Sequence, residues 1–163
     1  MYFISELKKI RKENSSNIAI FIDMDGVVAD YRFGEGKNIE NNVAGTYLNK
    51  RPILTAINIL KEVNNTFDFD MYILSSCRHD EQVIEKRKWL EKNMPFIDRK
   101  HQLFVVSNTF DDRKMLKINK IKELIDKKYD KIVMIDDTHD ILFLAIRELG
   151  DKVIPYHIIT LFD

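Results

Sequence analysis

The stretch "FIDMDGVVAD", Phe21 to Asp30, sets Asp23 and Asp25 two residues apart and adds Gly26 and Asp30 behind an apolar run. Side chains two apart on extended backbone point the same way, so both carboxylates face one ligand if strand geometry persists that far. Crowded carboxylates repel one another unless a cation or a proton resolves the charge. Gly26 permits a sharp turn and a close approach of backbone to an anion. Two further apolar runs end in chemistry-bearing residues: "YILSS" closes on Ser75 and Ser76, and "VMIDDTHD" carries Asp136, Asp137 and Asp140. Lys114, Lys117 and Lys120 stand in the segment before that last run. Oxygen ligands of this kind suit Mg²⁺ rather than Zn²⁺. A hard cation, a lysine and hydroxyl donors together suit a phosphoryl group, whose charge must be held and neutralised during transfer.

The elements that must position these residues are legible as alternating short apolar runs and helix-period segments. Residues 18–23, 70–75, 103–107, 131–136 and 152–156 read as strands, mostly without polar alternation, as in a parallel sheet covered on both faces. Pro52 is placed at the first position of a helix that carries Ile53, Ile57, Leu60 and Val63. Residues 79–93 form a second helical pattern, and Ile118, Ile121, Leu124 and Ile125 mark a third. "HDILFLAIRELG" makes a fourth, capped by Gly150, and Phe3, Leu7 and Ile10 suggest a short opening helix. The alternation predicts a three-layer α/β/α sandwich with a doubly wound, mainly parallel five-stranded sheet, and ligands beyond the carboxyl ends of its strands. Residues 31–51, with Gly34, Gly36 and Gly45, show no periodicity and are expected to be a short cap-like or site-bordering loop. Within them "FGEGKN" lacks the third glycine and the strand–helix setting of a phosphate loop.

The chain has 163 residues, 45% of them apolar, with 26 basic and 26 acidic side chains, which fits one globular domain spanning 1–163. The charge balance gives no overall pull toward nucleic acid. A single cysteine, Cys77, excludes an internal disulfide framework and fits a reducing compartment. No run of 18 apolar residues exists and the first residues lack the uninterrupted apolar core of a secretory signal, so a cytoplasmic protein without membrane contact is expected. Nothing in the sequence sets the oligomeric state.

"DMDGVVAD" resembles motif I of the haloacid dehalogenase-like phosphohydrolases, Asp-x-Asp-Gly-x-x-x-Asp, and within them the 5′(3′)-deoxyribonucleotidase-like branch. "YILSS" resembles motif II and "VMIDDTHD" motif IV, in order through positions 18 to 140. The resemblance implies that Asp23 attacks phosphorus to form an aspartyl-phosphate, and that Asp25 protonates the leaving oxygen and then activates water. It further implies Mg²⁺ held by Asp23, the backbone carbonyl of Asp25 and Asp136, with Ser75 and Gly26 on the phosphoryl oxygens. A motif III lysine balances the charge. Lys114, Lys117 and Lys120 all fall in the right helix; Lys117 is preferred because Ile121, Leu124 and Ile125 follow at the expected offsets, with Lys114 as runner-up. Asp137 is placed ahead of Asp140 for the remaining supporting acid. Arg78 and His79 follow motif II directly and could reach a substrate phosphate or base, or simply begin a solvated helix.

The implied substrate is a small phosphate monoester, a nucleoside monophosphate in that branch. Its members carry a helical cap after motif I, however, whereas only about 20 residues here separate Asp30 from the next helix. A nearly open site equally fits a larger phosphorylated partner such as a nucleic-acid end or a phosphoprotein. A phosphotransferase would share motif I and differ only in the acceptor. A non-catalytic phosphate-binding regulatory module is the reading from another class, against which Asp25 speaks, since binding alone needs no acid/base carboxylate.

Overall fold

Strand β1 (Ile18–Ile22) is buried at every position, as an apolar run flanked by layers on both faces must be. The computed structural model describes residues 1–14, 17–33 and 45–163. In it β1 lies at the centre of a five-stranded sheet with β4 (Asp70–Cys77), β5 (Gln102–Val106), β6 (Lys131–Asp136) and β7 (Val153–His157). The order is β5-β4-β1-β6-β7 and every pairing is parallel. The chain winds outward from β1 through β4 to β5, then crosses to β6 and β7. This reversal opens a crevice at the carboxyl ends of β1 and its neighbours.

Strand alternation splits the core in two. Ile20, Ile22, Ile73 and Val133 pack with Leu7 of α1 (Tyr2–Glu13), Leu60 of α2 (Leu54–Thr66) and Trp89 of α3 (Asp80–Asn93). Phe21, Leu74, Ile132 and Met134 face the other way, onto Ile118 and Ile121 of α4 (Phe110–Lys128) and Ala145 of α5 (His139–Leu149). The result is the expected three-layer sandwich, with the sheet in the middle and helices on both sides.

Four local expectations need correction. Strand β4 continues through Ser76 and Cys77, because both pair with Val105 and Val106 of β5 rather than leaving the sheet after Ser75. Pro52 does not begin α2. It ends β3 (Lys50–Pro52), opposite Ala29, and the next amide, of Ile53, donates to the Val28 carbonyl at 2.8 Å, which keeps the chain extended until the helix starts at Leu54. Helix α4 begins at Phe110, well before the apolar stripe announces it, with the Thr109 hydroxyl capping the Asp112 amide at 3.2 Å. The region expected to be loop contains an antiparallel ribbon of β2 (Ala29–Phe33) with β3, and a 3₁₀ turn at Tyr47–Asn49. Gly34, Gly36 and the rest of 34–44 lie outside the described residues. Among the described residues no helix is long and apolar enough to cross a membrane.

Candidate active site

Side-chain alternation decides which groups meet. Asp23 follows β1 on the face of Phe21, and Asp136 ends β6 on the face of Met134, so both turn toward α4. There Lys117 lies on the buried side of α4 and its Nζ reaches Asp23 Oδ1 at 2.7 Å and Asp136 Oδ2 at 3.0 Å. The second oxygen of Asp136 accepts the Thr138 amide at 2.9 Å, which fixes the carboxylate plane at the start of α5. Asp137 joins the group: one carboxylate oxygen from each of Asp23, Asp136 and Asp137 lies within 4.8 Å of the others. Burial pushes the Asp23 carboxyl up to about 6, and Asp136 and Asp25 add to the effect while Lys117 opposes it. Burial, then Asp23, also raises Asp137, against hydrogen bonds from Tyr31 and Thr138. Lys117 is itself raised, because Asp23 and Asp136 outweigh the effect of burial.

Three carboxylates against one ammonium leave this half of the site short of positive charge. The donor set is oxygen only, which suits a hard divalent cation. Three carboxylate oxygens brought this close together could be shared by one such ion.

Asp25 belongs to a separate, opposite arrangement. Its Oδ2 accepts Lys86 Nζ at 2.5 Å, and its Oδ1 accepts Lys50 Nζ. Both ammonium groups are almost wholly buried, and both lie over the Tyr47 ring, at 4.3 Å for Lys50 and 4.5 Å for Lys86. Burial works against an ionised Asp25, but Lys86 and then Lys50 outweigh it and hold the carboxyl below its usual range. The two carboxylates of motif I are thus shifted in opposite senses, Asp23 upward and Asp25 downward. Among the described residues, two ammonium groups thus meet on one carboxylate here.

Helix α3 builds that half. Gln82, Lys86, Trp89 and Leu90 form its buried stripe, so Lys86 occupies a core-facing position. One residue away, Glu85 accepts the Gly45 amide at 2.5 Å and the Tyr47 amide at 3.0 Å. Trp89 Nε1 donates to the Lys50 carbonyl at 2.7 Å. The segment that delivers Lys50 is therefore fastened to α3 by backbone hydrogen bonds on either side of Tyr47.

A cavity of about 150 Å³ opens between the two halves, with Asp23, Asp25, Lys50, Lys117, Ser76 and Arg113 in its wall. Several sequence expectations resolve against it. Ser75 is fully buried on the α3 side, where its hydroxyl accepts Lys86 Nζ at 2.8 Å, and it is Ser76, one residue on and turned to the opposite face, that reaches the cavity. Gly26 has φ +78° and its amide donates to the Ala29 carbonyl at 2.8 Å, so it shapes the turn. A Cβ there would collide with Asp137 Oδ2. Asp140 is exposed and lines a different depression with Lys114 and Arg147. Lys114 pairs with Asp111 at 2.8 Å and Lys120 with Glu123 at 3.2 Å. Lys50 and Lys86 were missed by the sequence reading. The signal for Lys86 was a charged residue in step with Gln82 and Trp89 on one helix face; for Lys50 there was none, since short β3 has no periodicity.

No protein-family model matches the chain, and no curated protein matches it. Solved structures do. A chain from the Pnkp1/Rnl/Hen1 RNA repair complex superposes with a TM-score of 0.66 at 20% identity, over 88% of this chain and 43% of that one. This chain thus spans less than half of that repair protein. The class C acid phosphatase from Bacillus anthracis gives 0.62 at 18% identity, covering 96% of this chain and 74% of the phosphatase. Its structure with tungstate bound gives 0.60 at 17% identity with the same coverage. These likenesses show the fold, an α/β/α sandwich around a parallel five-stranded sheet.

Proposed function

We propose that the chain is a divalent-cation-dependent phosphatase that hydrolyses phosphate monoesters, with nucleoside monophosphates as the first substrates to test. The observation that carries this reading is one cavity walled by Asp23, Asp25, Lys50 and Lys117, with an anionic cluster on one side, where Asp23 meets Asp136 and Asp137, and a cationic one on the other, where Lys50 and Lys86 meet on Asp25. The first half is built for a cation and the second for an anion, and a metal-bound phosphoryl group is both at once. Similarity of fold to a class C acid phosphatase agrees with this without carrying it.

Asp23, Asp136 and Asp137 would hold Mg²⁺, which when bound supplies positive charge for the phosphoryl oxygens and keeps Asp23 ionised. An Asp23 oxygen attacks phosphorus, the bond from phosphorus to the leaving oxygen breaks, and that oxygen takes a proton from Asp25. Water then attacks the aspartyl-phosphate, Asp25 takes its proton, and inorganic phosphate leaves. The free protein holds Asp25 in the ionised form that the second half needs. For the first half it must be protonated, and an incoming phosphoryl dianion, competing for the same two ammonium groups, raises its affinity for a proton. Lys117 keeps Asp23 and Asp136 apart in charge, and Ser76 offers its hydroxyl to the cavity.

Phosphate release from nucleotides, sugar phosphates and phosphorylated oligonucleotides, with Mg²⁺ and with chelator, tests this. Mg²⁺-dependent release that Asp23→Asn abolishes is expected. Silence on every substrate, or full activity in Asp23→Asn, defeats the proposal.

A further inference from the structure

Three residues of α4 reach the cavity from one helix face: Lys117 at its floor, Arg113 one turn nearer the helix start, and Phe110 at the mouth. Four residues of α-helix advance about 6 Å and three more about 4.5 Å, so the three side chains form a ladder leading out from Asp23. Lys117 is neutralised by Asp23 and Asp136. Arg113 differs. It is half-buried, one Nη donates to the Ser107 carbonyl at 2.8 Å, and among the described residues no carboxylate pairs with it. The acids of the same turn are turned to other partners: Asp111 pairs with Lys114, and Asp112 accepts the Ser107 hydroxyl at 3.3 Å. The Ser107 carbonyl anchors the guanidinium, and Ser107 is itself tied to β4 by its amide on the Cys77 carbonyl at 3.0 Å. A guanidinium has five donors in a rigid fork, so the contact to Ser107 leaves most of them for a ligand. Phe110 is 46% exposed, with the Arg113 guanidinium 6.0 Å from its ring centre.

The cavity is smaller than the roughly 300 Å³ at which pockets begin to enclose a whole organic ligand. It takes a phosphoryl group, and the remainder of the substrate has to lie along the ladder. We infer that Arg113 receives a second phosphate of a nucleotide whose monoester end sits at Asp23, with the base against Phe110. The substrate class is then a nucleotide with two phosphates separated by its sugar, found either in a nucleoside 3′,5′-bisphosphate or in the terminal nucleotide of a phosphorylated strand. This rests on the phosphatase reading for the position of the first phosphate.

The test is calorimetric binding in an Asp23→Asn background, where no turnover interferes, of a nucleoside 5′-monophosphate, a nucleoside 3′,5′-bisphosphate and a 5′-phosphorylated dinucleotide. At least one of the two-phosphate ligands is expected to bind about tenfold or more tightly than the monophosphate, the worth of a hydrogen bond to a charged group. Which of them does so identifies the source. Adding Arg113→Ala should bring that ratio close to one, and Arg113→Lys, which keeps the charge and loses the fork, should leave an intermediate ratio. Phe110→Ala should weaken the nucleoside bisphosphate more than a sugar bisphosphate without a base. A ratio near one before Arg113 is changed, or a ratio that Arg113→Ala does not alter, overturns the inference. Because binding is read directly, its outcome is separate from whether the unaltered protein releases phosphate.

Discussion

Removing the charge of Asp23 should stabilise the metal-free protein while abolishing its chemistry. Burial lifts this carboxyl from an ordinary 3.8 to about 6. At about 1.4 kcal/mol per pH unit, holding it ionised in the fold costs about 3 kcal/mol. The sign follows from the direction: a value raised on folding contributes stability that is complete below pH 3.8 and is lost as pH rises through 6. At pH 7.5 the natural chain bears the whole cost and Asp23→Asn bears none of it. For a chain of this length about 3 kcal/mol corresponds to roughly 6–12 °C in Tm. The assay is thermal unfolding of both proteins in chelator from pH 4 to 8. The gap should be near zero at pH 4, open between 4 and 6, and level off above. Mg²⁺ should then stabilise the natural chain more than the variant, since the ion relieves the repulsion that the variant lacks. A variant equal to or less stable than the natural chain at pH 7.5 would refute the electrostatic account of the site.

Gly26→Ala should lose stability by about 1–2 kcal/mol from its positive φ alone, and weaken Mg²⁺ binding, because the new methyl meets Asp137; metal titration with calorimetry reads the second effect. Lys86→Met breaks a fully buried ion pair and should cost about 3–5 kcal/mol in denaturant unfolding, with loss of turnover; retention of both would mean that Asp25 does not depend on it. Asp137→Asn should weaken Mg²⁺ binding while Asp140→Asn leaves it within twofold, and the reverse order would displace Asp137 from the cation cluster.

Much of the sheet was legible because β1, β4 and β6 are apolar runs without alternation, and a strand buried on both faces has to look like that. Strand ends were less legible: nothing local tells Ser75 from Ser76, and only the pairing of β4 with β5 through Cys77 determines which hydroxyl faces which layer. The acids at the ends of β1 and β6 could be read as one cluster from sequence, since parallel strands bring their carboxyl ends to one edge. The lysines on Asp25 could not. Lys86 depends on the depth at which α3 packs, and Lys50 on a ribbon whose two strands stand far apart in the chain. Both are consequences of tertiary packing, which carries no periodic trace.

The most direct test of the central claim is to trap the covalent state. A phosphate monoester labelled at phosphorus is mixed with the protein and Mg²⁺, quenched in acid within a turnover, and the labelled peptide is mapped. The account predicts acid-stable, base-labile label on Asp23 that is absent in Asp23→Asn and in chelator. Phosphate release from the same substrate with the label absent from Asp23, or present on another residue, would contradict it.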